Sequence, residues 1–183
     1  MTDRAEALTG ERELIDLITA RIRDVPDYPQ AGVVFKDITP LLADGEAFRA
    51  VIDVLATTYG PVEKVAGIEA RGFILAAPVA TRLGAGFVPI RKKGKLPGAT
   101  FAQDYQLEYG TATIEVLTDA FGPGDRVLVI DDVLATGGTA RATADLVQRA
   151  GARVAGISVL LELSLLRGRA KLADLPVTAL ITV

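Results

Sequence analysis

Residues 127–139, Val-Leu-Val-Ile-Asp-Asp-Val-Leu-Ala-Thr-Gly-Gly-Thr, set two adjacent carboxylates between an apolar run and a loop of small residues. Val127, Leu128, Val129 and Ile130 are continuous, apolar and mostly β-branched, the pattern of a parallel strand covered on both faces. In Thr136, Gly137, Gly138 and Thr139 the glycines permit conformations that a Cβ would block, so backbone N–H groups can turn inward around an anion. Ala140 to Ala150 reads as a helix ended by Gly151, and its unpaired N-terminal N–H groups and positive dipole end face the same spot. Asp131 and Asp132, at the carboxyl end of the strand, are unsuited to phosphate but suited to accepting hydrogen bonds from sugar hydroxyls. Together these residues predict a site for a sugar phosphate.

Two commoner nucleotide motifs fail. Gly94-Lys95 is followed by Leu96 and has Pro89 where a P-loop needs its first glycine, and Gly84-Ala85-Gly86 lacks the third glycine of a dinucleotide fingerprint. The chain contains no cysteine and no histidine, which excludes disulfides, thiolate chemistry and zinc–cysteine sites and removes the usual general base. Acid–base work then falls to Asp, Glu, Lys or Tyr. The net charge of −3 argues against general nucleic-acid binding, whereas a phosphate-rich small molecule needs only a local cationic patch, available at Arg91, Lys92, Lys93 and Lys95. No apolar run approaches membrane-spanning length and the first residues are polar, so a cytoplasmic protein without membrane contact is expected.

The elements that must position these groups follow from periodicity. Glu11 to Arg23 carries Leu14, Ile15, Ile18 and Ile22 at helical spacing; a turn-rich connector spans Pro26 to Gly32; Phe48 to Tyr59 reads as a helix. From Val65 strands and helices alternate: strand 65–68, helix 73–83 capped by Gly84, strand 87–90, strand 113–117, the phosphate strand and helix, strand 154–161 and a last strand near 177–183. Such alternation implies an α/β fold with a mostly parallel central sheet flanked by helices. The span 91–111 is long for a compact domain, which favours a lid, although a solvated hairpin fits these residues equally well.

The thirteen-residue block resembles the phosphoribosyl pyrophosphate (PRPP) signature of the type I phosphoribosyltransferases. Three further blocks are similar to the adenine-specific family of that group: Pro26-Asp-Tyr-Pro-Gln-Ala-Gly-Val-Val-Phe-Lys-Asp-Ile-Thr-Pro40, Gly67-Ile-Glu-Ala-Arg-Gly-Phe73, and Ile90 to Gly98 with Leu107-Glu-Tyr-Gly110. The resemblance implies one phosphoribosyltransferase domain over 1–183, with a small N-terminal hood to about residue 50 and a core carrying a flexible lid loop near 91–111. It implies transfer of the phosphoribosyl group of PRPP to adenine, giving AMP and pyrophosphate, with Mg²⁺ held mainly through PRPP and water, in a homodimer. Ala135, Thr136, Gly137, Gly138 and Thr139 would hold the 5′-phosphate, and Asp131 and Asp132 the ribose hydroxyls. Glu69, Ala70 and Arg71 would cradle pyrophosphate, in a turn where the family often has a cis peptide before the arginine, with Arg91, Lys92 and Lys95 nearby. Val34, Phe35, Lys36 and Leu163 would enclose the base, Glu108 would handle the proton near its N7, and Tyr109 would cover the closed site. Two alternatives stay open: a phosphoribosyltransferase for a 6-oxopurine such as xanthine or hypoxanthine, and a non-catalytic PRPP or nucleotide sensor.

Overall fold

The computed structural model describes residues 12–106 and 110–183. Two compact units divide between Val54 and Leu55. In the first, helix α1 covers 12–19 among the described residues, and strands β1 (Arg23–Pro26) and β2 (Val34–Asp37) form an antiparallel pair. Helix α2 (Thr39–Ala43) follows, and α3 runs Gly45–Thr57. The expected first helix therefore stops short of Arg23. Arg23 instead pairs across the strands with Asp37, and Lys36 reaches Asp24 at 2.7 Å, so cross-strand charge pairs compete with helix continuation. Asp44 starts α3 by accepting hydrogen bonds from the N–H groups of Glu46 and Ala47, a side-chain cap of the usual kind.

The second unit is a seven-stranded sheet in the order β5-β6-β4-β3-β7-β8-β9. Its strands are β3 (Lys64–Ile68), β4 (Gly86–Lys92), β5 (Thr100–Gln106), β6 (Thr111–Leu117), β7 (Arg126–Leu134), β8 (Arg153–Glu162) and β9 (Val177–Thr182). Strands β4, β3, β7, β8 and β9 are parallel, while β6 and β5 add antiparallel at one edge. Helix α4 (Arg71–Leu83) joins β3 to β4 and ends at Gly84, whose φ of 66° lets the chain turn left-handed. Helix α5 (Gly138–Arg149) joins β7 to β8.

The two crossovers leave the adjacent strands β3 and β7 in opposite directions along the sheet. That reversal is the point at which open parallel sheets leave a ligand crevice beyond the strand carboxyl ends. Val127, Leu128, Val129 and Ile130 are buried. Each such side chain contributes roughly 1.5–3 kcal/mol relative to exposure, so β7 is a firm support for whatever follows it. The span 91–111, read as a lid or equally as a solvated hairpin, contains β5, which pairs with β6 from Thr100↔Leu117 to Gln106↔Thr111. Its residues are largely half-buried or exposed, a weak signal for a strand in sequence.

Candidate active site

Strand β7 runs through both aspartates to Leu134, four residues beyond the apolar run. At its end a pocket of about 370 Å³ is lined by Asp131, Val133 to Ala140 and Val159, within the size range of small-ligand sites. The predicted loop residues Ala135, Thr136, Gly137, Gly138 and Thr139 all line it. Gly137 stands at the helix cap with φ 76°, and no side chain caps α5, in contrast to α3. The first N–H groups of a twelve-residue helix are thus directed at the pocket without a capping oxygen. Arg141, the cation nearest in sequence, is taken up by Asp174 at 2.9 Å and by Asp145.

The aspartate pair is electrostatically tense. Asp132 is 4% exposed and meets Arg71 Nη2 at 2.8 Å, and its own N–H donates to Asp131 Oδ1 at 2.9 Å. Burial pushes the Asp131 carboxyl well above the usual carboxylate range, and the neighbouring charge of Asp132 pushes the same way. Burial also raises Asp132, against the pull of Arg71. Gly72 permits the approach of α4 that brings Arg71 here: a Cβ on it would lie 2.8 Å from the Ile130 carbonyl oxygen and 3.0 Å from Asp131 Oδ1.

Glu69 organises a second cluster. Its carboxylate accepts from Lys95 Nζ at 2.6 Å, from the Lys92 N–H at 2.9 Å and from Arg91 Nε at 3.3 Å. The Glu69–Ala70 peptide is cis, one bond ahead of Arg71. Burial opposes ionisation of Glu69, but Lys95, the Lys92 amide and Arg91 together hold its pKa at about 2. Glu69 therefore ties the predicted cations to the turn that carries Arg71. A carboxylate lowered in the fold stabilises it above its unfolded pKa and loses that contribution as pH falls through the folded one. The melting temperature is accordingly expected to fall as pH drops from about 4.5 toward about 2. Glu69→Gln is expected to flatten that part of the profile, read by thermal unfolding across pH; an unchanged profile would show that the pairing is too solvated to matter.

Leu163, half-buried, follows β8 and donates its N–H to the Leu134 carbonyl at 2.9 Å, which seats it beside the end of β7. Val34, Phe35 and Lys36 lie together on β2 of the first unit, Phe35 edge-on to Tyr28 at 5.2 Å and Lys36 engaged by Asp24. Glu108 and Tyr109 lie outside the described residues. The strand that leads to them ends beside α5, since a Cβ on Gly138 would be 2.9 Å from the Gln106 carbonyl oxygen. One contributor was missed. Glu115 is buried at 7% exposure and accepts the Gly94 N–H at 2.9 Å, shaping the Lys93-Gly94-Lys95 turn; an acid between Ile114 and Val116 was its signal.

Among the described residues no group of three or more His, Cys, Asp or Glu could hold a metal ion, and no helix is long and apolar enough to cross a membrane. The phosphoribosyl transferase domain family matches residues 41–174. Adenine phosphoribosyltransferase of Thermobifida fusca is 63% identical over 91% of this chain and 96% of its own. The adenine phosphoribosyltransferase structure from Rhodothermus marinus is 51% identical, with a TM-score of 0.89 over 94% of this chain and 99% of that one. The Saccharomyces cerevisiae enzyme, complexed with an imino-altritol bisphosphate and adenine, is 34% identical, with a TM-score of 0.88 over 92% and 99%.

Proposed function

Since this chain belongs to the adenine phosphoribosyltransferase family, we propose that its pocket takes PRPP by the 5′-phosphate and its neighbouring groups carry adenine through to AMP. The reaction is the purine-salvage transfer of the phosphoribosyl group to adenine, with pyrophosphate leaving. The observation that carries the residue assignments is the uncapped start of α5 opening on a pocket that also holds Asp131.

Backbone N–H groups of 135–139 receive the 5′-phosphate, because a helix start without a capping oxygen offers oriented donors that need no reorganisation. Asp131 and Asp132 accept the ribose hydroxyls. As the anomeric C–O bond breaks, positive charge builds on the ribose, much as in glycoside chemistry, and the adjacent carboxylates favour it. Arg71 steadies the departing pyrophosphate together with Arg91, Lys92 and Lys95, which Glu69 keeps in place. By the family resemblance, Val34, Phe35, Lys36 and Leu163 would enclose the base. Glu108 takes up or relays the proton that adenine loses as N9 attacks, and Tyr109 excludes water under a lid formed near 91–111.

The two aspartates fit a divalent cation that arrives bound to substrate, since a positive charge beside them relieves the burial that opposes ionisation of both and the Asp132 charge that opposes ionisation of Asp131. Mg²⁺ carried by PRPP would neutralise the pyrophosphate. The family resemblance also implies a cytoplasmic homodimer. The test is pyrophosphate release from PRPP, with and without Mg²⁺, comparing adenine, hypoxanthine, guanine and xanthine. Release with adenine in the presence of Mg²⁺ is expected. Release with a 6-oxopurine instead would overturn the base assignment, and PRPP binding without release for any base would turn the reading toward a sensor.

A further inference from the structure

The phosphate loop is braced from outside by a segment with no predicted role. A Cβ on Gly168 would collide with the Ala135 carbonyl oxygen and lie 2.8 Å from the Gly137 amide nitrogen. Conversely, a Cβ on Gly137 would collide with the Gly168 carbonyl oxygen. Two backbones therefore touch with no side chain between them. Gly137 is left-handed, at φ 76°, but Gly168 is not among the positive-φ residues, so close approach alone calls for glycine there.

The segment that carries Gly168 is fixed at both ends. Upstream, the Leu163 N–H is bonded to the Leu134 carbonyl, one residue before the loop begins. Downstream, in the 3₁₀ turn Gly168–Leu172, Arg169 Nε lies 3.1 Å from both oxygens of buried Glu162, its Nη1 donates to the Val177 carbonyl at 2.6 Å, and Leu172 is 1% exposed. Between these anchors Arg167 is held left-handed at φ 51°, a conformation that a non-glycine residue keeps only where its surroundings over-determine it. It turns the chain so that Gly168 faces the loop.

We propose that Gly168 is a positioning residue for PRPP: its bare backbone sets the curvature of 135–137, so that the loop amides converge on the 5′-phosphate. This rests on the reading of 135–139 as the phosphate loop. Gly168→Ala would push the loop backbone away, and misplacement by about an ångström can cost about 10²-fold. The expected result is a rise of that order in the KM for PRPP, with the KM for adenine at saturating PRPP little changed. Gly60→Ala is the comparison, since Gly60 is left-handed with open space around it and loses stability without touching the loop. A melting temperature lowered equally in both variants, with a PRPP effect only at Gly168, separates positioning from general damage; a wild-type KM for PRPP in Gly168→Ala overturns the proposal.

Amide exchange of the wild-type protein decides the case if the variant does not fold. With saturating PRPP, exchange is expected to slow at 135–139 and at 167–170 together. Slowing at 135–139 alone overturns the brace and leaves the phosphate loop standing. Slowing at neither overturns the phosphate-loop reading and the brace with it.

Discussion

Glu108→Ala is expected to lower kcat by about 10²–10⁴-fold, the usual contribution of a positioned general acid or base, while PRPP binding is largely retained. The chain has neither histidine nor cysteine, so a side chain that takes the proton leaving adenine is Asp, Glu, Lys or Tyr. The carboxylates around the pocket are committed elsewhere. Glu69, held at about pKa 2 by Lys95, Lys92 and Arg91, is too weak a base. Asp132 faces Arg71, and Asp131 is bonded to the Asp132 amide. Glu108 follows a strand whose last residue, Gln106, comes up against the start of α5. Turnover under saturating substrates, paired with PRPP titration by calorimetry, tests this. Equal loss of turnover and of PRPP affinity would make Glu108 a ligand-holding residue instead of a proton carrier.

Legibility followed the range of the interactions. The strand, loop and helix around 127–149 were readable because their signal is local: an apolar run, two acids, small residues and a helix start within thirteen positions. The parallel core was readable because Val65, Ile68, Val88, Ile90 and Val127 to Ile130 are apolar in runs and are in fact buried. Strand β5 was legible only as one of two readings of 91–111, since an edge strand with exposed Ala102, Asp104 and Gln106 offers little contrast with a loop. The extension of β7 through Asp131 and Asp132 was hidden for a different reason. Two acids read as a strand end unless a distant cation, here Arg71 on α4, lets one of them be buried. The same holds for Glu69, whose partners are 22 to 26 residues away, and for Gly168, whose need for glycine arises from a loop some thirty residues earlier in the chain.

Asp131→Asn is expected to lower kcat/KM by about 10²–10³-fold, the scale for loss of one preorganised electrostatic contact to the transition state, and yet to raise the melting temperature at neutral pH. The sign follows from the direction of its pKa. In the fold Asp131 is raised by burial and by the charge of Asp132, so between its unfolded and folded values the native state binds the extra proton. Stability then declines as pH climbs through that window, and the penalty is complete above the folded pKa. Asparagine keeps the shape and the Oδ1 that accepts the Asp132 N–H at 2.9 Å. It removes the charge that Asp132 opposes, so the penalty disappears. Arg71 already relieves Asp132 and, in part, Asp131; under the proposed reaction the remaining cost is relieved when a cation or a developing ribose cation arrives. Melting curves and kcat/KM for PRPP, measured on the same preparation from acid to neutral pH, test the trade. The variant and wild-type curves should converge in acid, where both aspartates are protonated, and separate as pH rises. A variant less stable than wild type at neutral pH would show that the carboxylate contributes to the fold, and would remove the argument that its charge is reserved for the reaction.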